Sequence, residues 1–204
     1  MRTRGETLIN ETNVATTKTA DIVLDFLPKL AIQANYAVNT LAPAAFAPGD
    51  VNIFTDQITA VAHGFTTGVK GQFTTTGTLP GGISGATDYW IIRIDSDTFS
   101  VAASLADAEA GTVVLINSTG SGTHTFTPSA FGGAVLKLQS SNDGTNFVDL
   151  PSCQVTLSSG GTSIFNVVEP SYRHLRFAYV PGAGSIDLTV IVNGHDSAGN
   201  TNAN

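Results

Sequence analysis

Leu30-Ala31-Ile32-Gln33-Ala34-Asn35-Tyr36-Ala37-Val38 carries an apolar side chain at every second position, 30, 32, 34, 36 and 38. A period of two gathers these five on one face of a strand, because successive side chains of extended backbone point to opposite sides. Such a face needs a sheet around it and a second layer over it. Directly upstream, Ile22, Leu24 and Phe26 alternate with Asp21, Val23 and Asp25 and stop at Pro28, which predicts another strand beginning near Thr19. Two strands cannot close a core. The Pro- and Gly-containing stretch Leu41-Ala42-Pro43-Ala44-Ala45-Phe46-Ala47-Pro48-Gly49-Asp50 then reads as a linker.

Matching partners for these strands come only after a second linker, Pro128-Ser129-Ala130-Phe131-Gly132-Gly133. Six candidates follow: Ala134–Gln139, Phe147–Leu150, Cys153–Leu157, Ser163–Val168, His174–Tyr179 and Ser185–Val192. In the last, Ile186, Leu188, Val190 and Val192 alternate with Ser185, Asp187, Thr189 and Ile191, the pattern of a half-buried antiparallel strand. Asn142-Asp143-Gly144-Thr145-Asn146 is the clearest turn, since Asp-Gly accepts positive φ and the Asn and Asp oxygens can close on backbone amides. Two strands in front and six behind predict an all-β fold, an antiparallel β-sandwich of jelly-roll-like type, discontinuous over residues 20–45 and 130–194.

The intervening residues 50–128 have a different texture. Short segments at Val51–Phe54, Gln57–Ala62, Val69–Thr75, Tyr89–Ile94, Thr98–Ala102, Gly111–Ile116 and Thr123–Phe126 predict an inserted β domain, a small barrel or sandwich. Ser104–Ala110 alone has helical character, with Ser104 as its cap. Residues 1–19, poor in large apolar groups, read as an N-terminal arm, and 195–204 as a flexible tail. Two sequential domains divided near 128 would leave the first strands without a partner.

Composition narrows the function. The chain has 204 residues and 21.0 kDa; only 12% are charged, while Thr numbers 27 and Gly 21, a polar but weakly charged make-up that favours β structure. Nine Lys and Arg against sixteen Asp and Glu give −7, which repels phosphate backbones and anionic membranes, so neither nucleic acid nor membrane is expected as a partner. The longest aliphatic run, Val113-Val114-Leu115-Ile116, is far short of the ~20 residues of a spanning helix. No apolar region follows Arg2 and Arg4, so no secretory signal is expected and synthesis is placed in the cytoplasm. The lone Cys153 makes no internal disulfide and lies in a strand with Val155 and Leu157, where burial as a small apolar group is expected.

No catalytic, cofactor or metal site is predicted. His63, His124, His174 and His195 lack metal-site spacing, and His63 beside Gly64 reads as a turn residue. Ile83-Ser84-Gly85 and Gly120-Ser121-Gly122 are loops without the following helix of a nucleophile elbow. Asp95-Ser96-Asp97 and the 142–146 turn offer oxygens that a calcium ion uses, but without the full loop pattern they read as turn caps. Trp90 continues into Ile91, Ile92 and Ile94 and reads as a core anchor, with sugar stacking as the alternative. Arg173 and Arg176 share one strand, where they deter wrong pairing or match an acidic partner.

Two stretches resemble a pattern in virion proteins of tailed bacteriophages: Leu136-Lys137-Leu138-Gln139-Ser140-Ser141-Asn142-Asp143-Gly144-Thr145-Asn146-Phe147-Val148-Asp149-Leu150, and Val168-Glu169-Pro170-Ser171-Tyr172-Arg173-His174-Leu175-Arg176-Phe177. In that pattern an "SNDGT" hairpin precedes a "YRYVR" strand and a last strand ending like Ile191-Val192-Asn193-Gly194; Phe147 stands where Trp is common. The middle, around Ile58–Gly68, Thr75–Gly82 and Gly120–Phe126, is similar to a small β module found in phage structural proteins. The resemblance implies a non-enzymatic building block of the virion. The leading expectation is a capsid decoration or cement protein that binds the assembled head through its sandwich and arm. It is homo-oligomeric, as a trimer or ring, with major capsid, tail or neck proteins as partners and no cofactor. A tail or neck component is the alternative. A carbohydrate- or receptor-binding module, with Tyr89, Trp90, Tyr172 or Tyr179 as stacking residues, is a reading of another class.

Overall fold

A computed structural model describes residues 3–22, 29–168 and 173–195. Among them, fifteen strands run in chain order: β1 (Thr3–Val14), β2 (Lys18–Ile22), β3 (Lys29–Val38), β4 (Ala44–Phe46), β5 (Val51–Asn52), β6 (Gln57–Thr59), β7 (Lys70–Thr75), β8 (Asp88–Arg93), β9 (Thr98–Ala102), β10 (His124–Pro128), β11 (Ala134–Ser141), β12 (Val148–Leu157), β13 (Gly161–Val168), β14 (His174–Val180) and β15 (Ile186–His195). One helix, α1 (Leu105–Ala110), is capped by Ser104, whose hydroxyl accepts the Asp107 N–H at 3.1 Å.

Eight strands form two four-stranded sheets, ordered β1-β15-β3-β13 and β12-β11-β14-β2. The antiparallel pairs β1·β15, β2·β14, β3·β13 and β11·β12 are nested, outermost strand with outermost. Successive pairs fall in opposite sheets, and β15·β3 and β14·β11 join them side by side. This is jelly-roll connectivity: one long hairpin rolled into a sandwich. The register explains why period two marks the central strands. Ile186, Leu188, Val190 and Val192 stand opposite Val38, Tyr36, Ala34 and Ile32, so the apolar sets of β15 and β3 share one face. From the facing sheet, Leu136 opposes Tyr179 and Leu138 opposes Phe177, and all join one core with Leu30, Phe165 and Leu175. Each fully buried large side chain contributes about 1.5–3 kcal/mol.

The expected arm is a strand. Thr3–Val14 forms the edge of the first sheet, with Ile9 and Val14 buried. Register breaks between Thr7 and Ile9 and between Glu11 and Val14 disrupt the alternation that would have marked it. Lys18 reaches across to Glu11 at 2.6 Å and closes the rim between the sheets. The last strand, read as ending at Val192, continues to His195; residues 196–204 of the expected tail lie outside the described residues, as do Leu24 and Phe26. The segments predicted at 147–150 and 153–157 are one bulged strand, β12, which tolerates Pro151 because it is an edge.

The other seven strands form a sheet ordered β4-β10-β7-β8-β9-β6-β5. Within the expected linker, Ala44–Phe46 pairs with β10, so the module takes up residues assigned to the sandwich. Gly111–Ile116 is not a strand, although the Val114 N–H donates to the Val101 carbonyl at 2.7 Å. Phe126 on β10 and Phe99 on β9 are three strand spacings apart, roughly 14 Å in a flat sheet. Their ring centroids are 6.1 Å apart, so the sheet curls over a core of Phe46, Phe65, Phe73, Phe99 and Phe126. Among the described residues no pairing joins β4 to β5, and the curl stays open where a barrel was one expectation.

The turn between β1 and β2 docks on this module. Ala15 is buried in the module's core, the Thr66 hydroxyl donates to the Asn13 carbonyl at 2.7 Å, and the Thr17 N–H donates to the Glu109 carboxylate at 2.7 Å. Gly68, at φ +95°, lets the Ala15 carbonyl approach to where a Cβ would stand only 2.2 Å away.

Candidate interaction face

Twelve outward positions in the middle of β1, β15, β3 and β13 line up by register into three rows, bounded by Lys29 at one end of the sheet and Asp187 at the other. Thr162, Asn35, Thr189 and Asn10 form one; Ile164, Gln33, Ile191 and Thr7 the next; Asn166, Ala31, Asn193 and Gly5 the third. All twelve are exposed or half-buried, and none is charged. The Thr162 hydroxyl donates to Asn35 Oδ1 at 2.9 Å, Gln33 Nε2 donates to the same oxygen at 2.9 Å, and the Thr189 hydroxyl donates to Asn10 Oδ1 at 3.2 Å. A short side chain tied to its neighbour loses little entropy on contact, and an uncharged one costs little to desolvate. Ile164, 58% exposed, is the apolar point of this surface.

The opposite outer face is charged. Lys137 Nζ contacts Asp149 at 2.9 Å, Gln139 Nε2 donates to Asp149 at 2.6 Å, Arg176 Nε donates to Gln139 Oε1 at 2.7 Å, and the Arg176 guanidinium lies 3.9 Å over the Phe147 ring. The Lys137 ammonium, then Gln139, hold the Asp149 carboxyl below the usual carboxylate range. The two stretches that carry the phage resemblance thus lie side by side: β11 pairs with β14 from Val135 to Ser141. At the end of this pair a cavity of about 330 Å³ is lined by Asp21, Ile22, Gly144, Phe147, Arg173, His174 and Leu175. A smaller one, about 240 Å³, lies where the two connections to the module meet, between Val38–Leu41 and Pro128–Phe131.

Among the described side chains the histidines do not converge. His63 packs on Phe65 and Phe99, its Nδ1 accepts the Phe65 N–H at 2.9 Å, and burial lowers its pKa. His124 Nε2 donates to the Thr119 carbonyl at 3.1 Å, and its Nδ1 lies 2.9 Å from the Thr75 hydroxyl. His174 is exposed on the sandwich, and the backbone of His195 ends β15.

The loop candidates are engaged in turns. The Ser84 N–H donates to Tyr89 Oη at 2.9 Å, and the Ser121 carbonyl accepts the Thr78 N–H at 3.1 Å. Asp95 accepts the Asp97 N–H at 2.8 Å, and Asp97 accepts the Ala62 N–H at 2.8 Å. Asp143 accepts the Thr145 and Asn146 N–H groups, the Asn146 amide and the Ser141 hydroxyl, which together hold its carboxyl far below the usual range, the Asn146 N–H most strongly. Among the described residues no three His, Cys, Asp or Glu side chains gather as a metal set. Among the same residues no helix is long and apolar enough to cross a membrane.

Of the proposed stacking residues, Tyr89 and Tyr179 are buried, which removes them from any sugar platform. Trp90 is half-buried beneath the Lys70 ammonium, 5.8 Å from its ring centre, and Tyr172 lies outside the described residues. Cys153 is half-buried against the sandwich core rather than enclosed by it. The neutral face was missed. Its signal was the lack of Lys, Arg, Asp and Glu at alternate positions of 31–35 and 189–193, which gains meaning only once the register places those strands together.

No family model matches the chain. No curated protein matches it either. Among solved structures, one similar chain comes from the complex of VP16 and VP17, the two major capsid proteins of bacteriophage P23-77. It is 7% identical, with a TM-score of 0.22 over 95% of this chain and 97% of that one.

Proposed function

We propose that the chain is a structural protein of a tailed-bacteriophage virion, a capsid decoration protein that seats on the assembled head through the neutral face of its sandwich and projects the inserted module. The neutral face carries the reading. A chain of net charge −7 that keeps twelve outward positions of one sheet free of charge has a surface suited to burial against another protein. Jelly-roll sandwiches recur in viral capsid and lectin domains. The adjacency of the two phage-like stretches in β11 and β14 supports the first of these. The partner is the major capsid protein, and the site of assembly is the cytoplasm of the host. Residues 3–14, paired within the sheet, are not the anchor that a free arm would supply.

The test adds purified protein to heads that lack it and maps the particles by electron cryomicroscopy. Density at fixed lattice positions is expected, with the β1-β15-β3-β13 sheet toward the shell. Gln33→Lys and Thr189→Lys, at solvent-facing positions, should lower occupancy at least about tenfold. Absence from the head, density confined to the neck or tail, or indifference to both substitutions overturns the reading.

A further inference from the structure

Four edge strands bound the sandwich, and three are protected against pairing with another chain. β1 carries Glu6 and Glu11 and is bulged twice. β12 has Asp149, Pro151 and a register break. β2 is five residues long and holds Lys18 and Asp21. Charge, proline, bulges and shortness are the usual devices that keep sheet edges from joining. β13 has none of them. Gly161-Thr162-Ser163-Ile164-Phe165-Asn166-Val167-Val168 is uncharged and free of proline, and it pairs with β3 through eight unbroken register positions. Among the described residues nothing pairs with its other side.

We infer that β13 is a dimerisation edge: it pairs antiparallel with β13 of a second copy, across a two-fold axis, and extends the sheet to eight strands. The occupant is chosen by charge. Two chains of net −7 repel wherever acids face each other, but the eight residues of this edge and the three rows beside it carry no charge. An antiparallel strand pair is also its own symmetry partner, and the row of outward-pointing N–H and C=O groups on one copy meets the same row on the other. Faces fix the register. Outward residues must oppose outward residues, and centring on Ile164 sets Ile164 against its mate and Thr162 against Asn166. That covers Ile164, the large apolar side chain exposed among the described side chains of the strand. The inference does not depend on what the neutral face binds.

Sedimentation of the full chain over a range of concentrations should give a monomer–dimer equilibrium. Ile164→Lys and Asn166→Lys, both at exposed positions, should each weaken it at least about tenfold. In a Cys153→Ser background, Ile164→Cys should form an intermolecular disulfide on mild oxidation, since directly opposed Cβ atoms lie about 4.5–5.5 Å apart. Ile191→Cys should not: it sits on the same face but two strands further in, roughly 24 Å from its mate. A wild-type chain that stays monomeric overturns the inference. So does a dimer insensitive to both lysines, or equal cross-linking at 164 and 191. Virion binding by a strictly monomeric chain would refute this edge and leave the proposed function standing.

Discussion

Tyr179→Phe should stabilise the protein. The ring lies fully buried between the two sheets, opposite Leu136, and its hydroxyl has no hydrogen-bond partner. Leaving a buried donor unpaired costs about 1–3 kcal/mol, whereas phenylalanine keeps the same ring contacts. A gain of about 1–2 kcal/mol is expected in urea unfolding at neutral pH, and a rise of a few degrees in the transition that includes the sandwich. Alkaline pH supplies a second measurement. Burial pushes the phenol up to about 12 from 10.0, so the folded state resists ionisation and the unfolded state does not. Stability from the neutral phenol is fully present below pH 10 and is lost as pH rises toward 12, by roughly 3 kcal/mol over the two units. The variant lacks that loss, so its advantage over wild type should widen between pH 10 and 12. A variant less stable than wild type at pH 7, or a difference that stays flat through this window, would mean that the hydroxyl is satisfied and the reasoning is wrong.

Asp143→Ala should lower the melting temperature at pH 7 by freeing the four donors that the carboxylate gathers in the β11–β12 turn. Because the folded carboxyl titrates below its ordinary 3.8, its contribution is present above that value and fades as pH falls through the folded pKa. The gap between variant and wild type should therefore close in strong acid, as followed by circular dichroism. Replacing residues 42–130 by a short glycine-rich bridge should leave a folded sandwich, read as retained β signal and a cooperative transition; loss of both would show that the sandwich needs the module. The excised chain should also gain protease sensitivity at the Asn13–Thr17 turn, whose Ala15 would lose its cover.

The sandwich was legible where strands are central. β3 and β15 each have neighbours on both sides and a core beneath, and only strict alternation satisfies both, so 30–38 and 186–192 declare themselves. β1 was illegible for the opposite reason: an edge strand with two bulges needs few apolar residues, and Ile9 and Val14 suffice. Tyr179, a stacking candidate by residue type, alternates with Phe177 and Leu175, and that period of two points it inward. The neutral face needed more than any single stretch holds. Thr189 and Asn10 touch across 179 residues of sequence, and Thr162 and Asn35 across 127, separations that alternation within a strand does not encode.

Nested pairing also explains why an insertion is tolerated between β3 and β11. The chain leaves the sandwich after Val38 and returns at Ala134, so 95 residues separate two strands whose partners lie in opposite sheets. As a flexible loop, that length would raise the cost of bringing β3 and β11 together by roughly 2.5 kcal/mol over a six-residue connection. The module removes most of this cost because its own ends meet: Leu41 and Pro128 line one cavity, and the Ser129 N–H donates to the Lys70 carbonyl at 2.8 Å. A folded module behaves as a short connection. Its pairings, such as β7·β8 and β8·β9, span far fewer residues than those of the sandwich, and the folded module holds the end of β3 and the approach to β11 close together. The long-range pairs of the sandwich, β1·β15 above all, therefore close loops that are effectively shorter by most of the module's length.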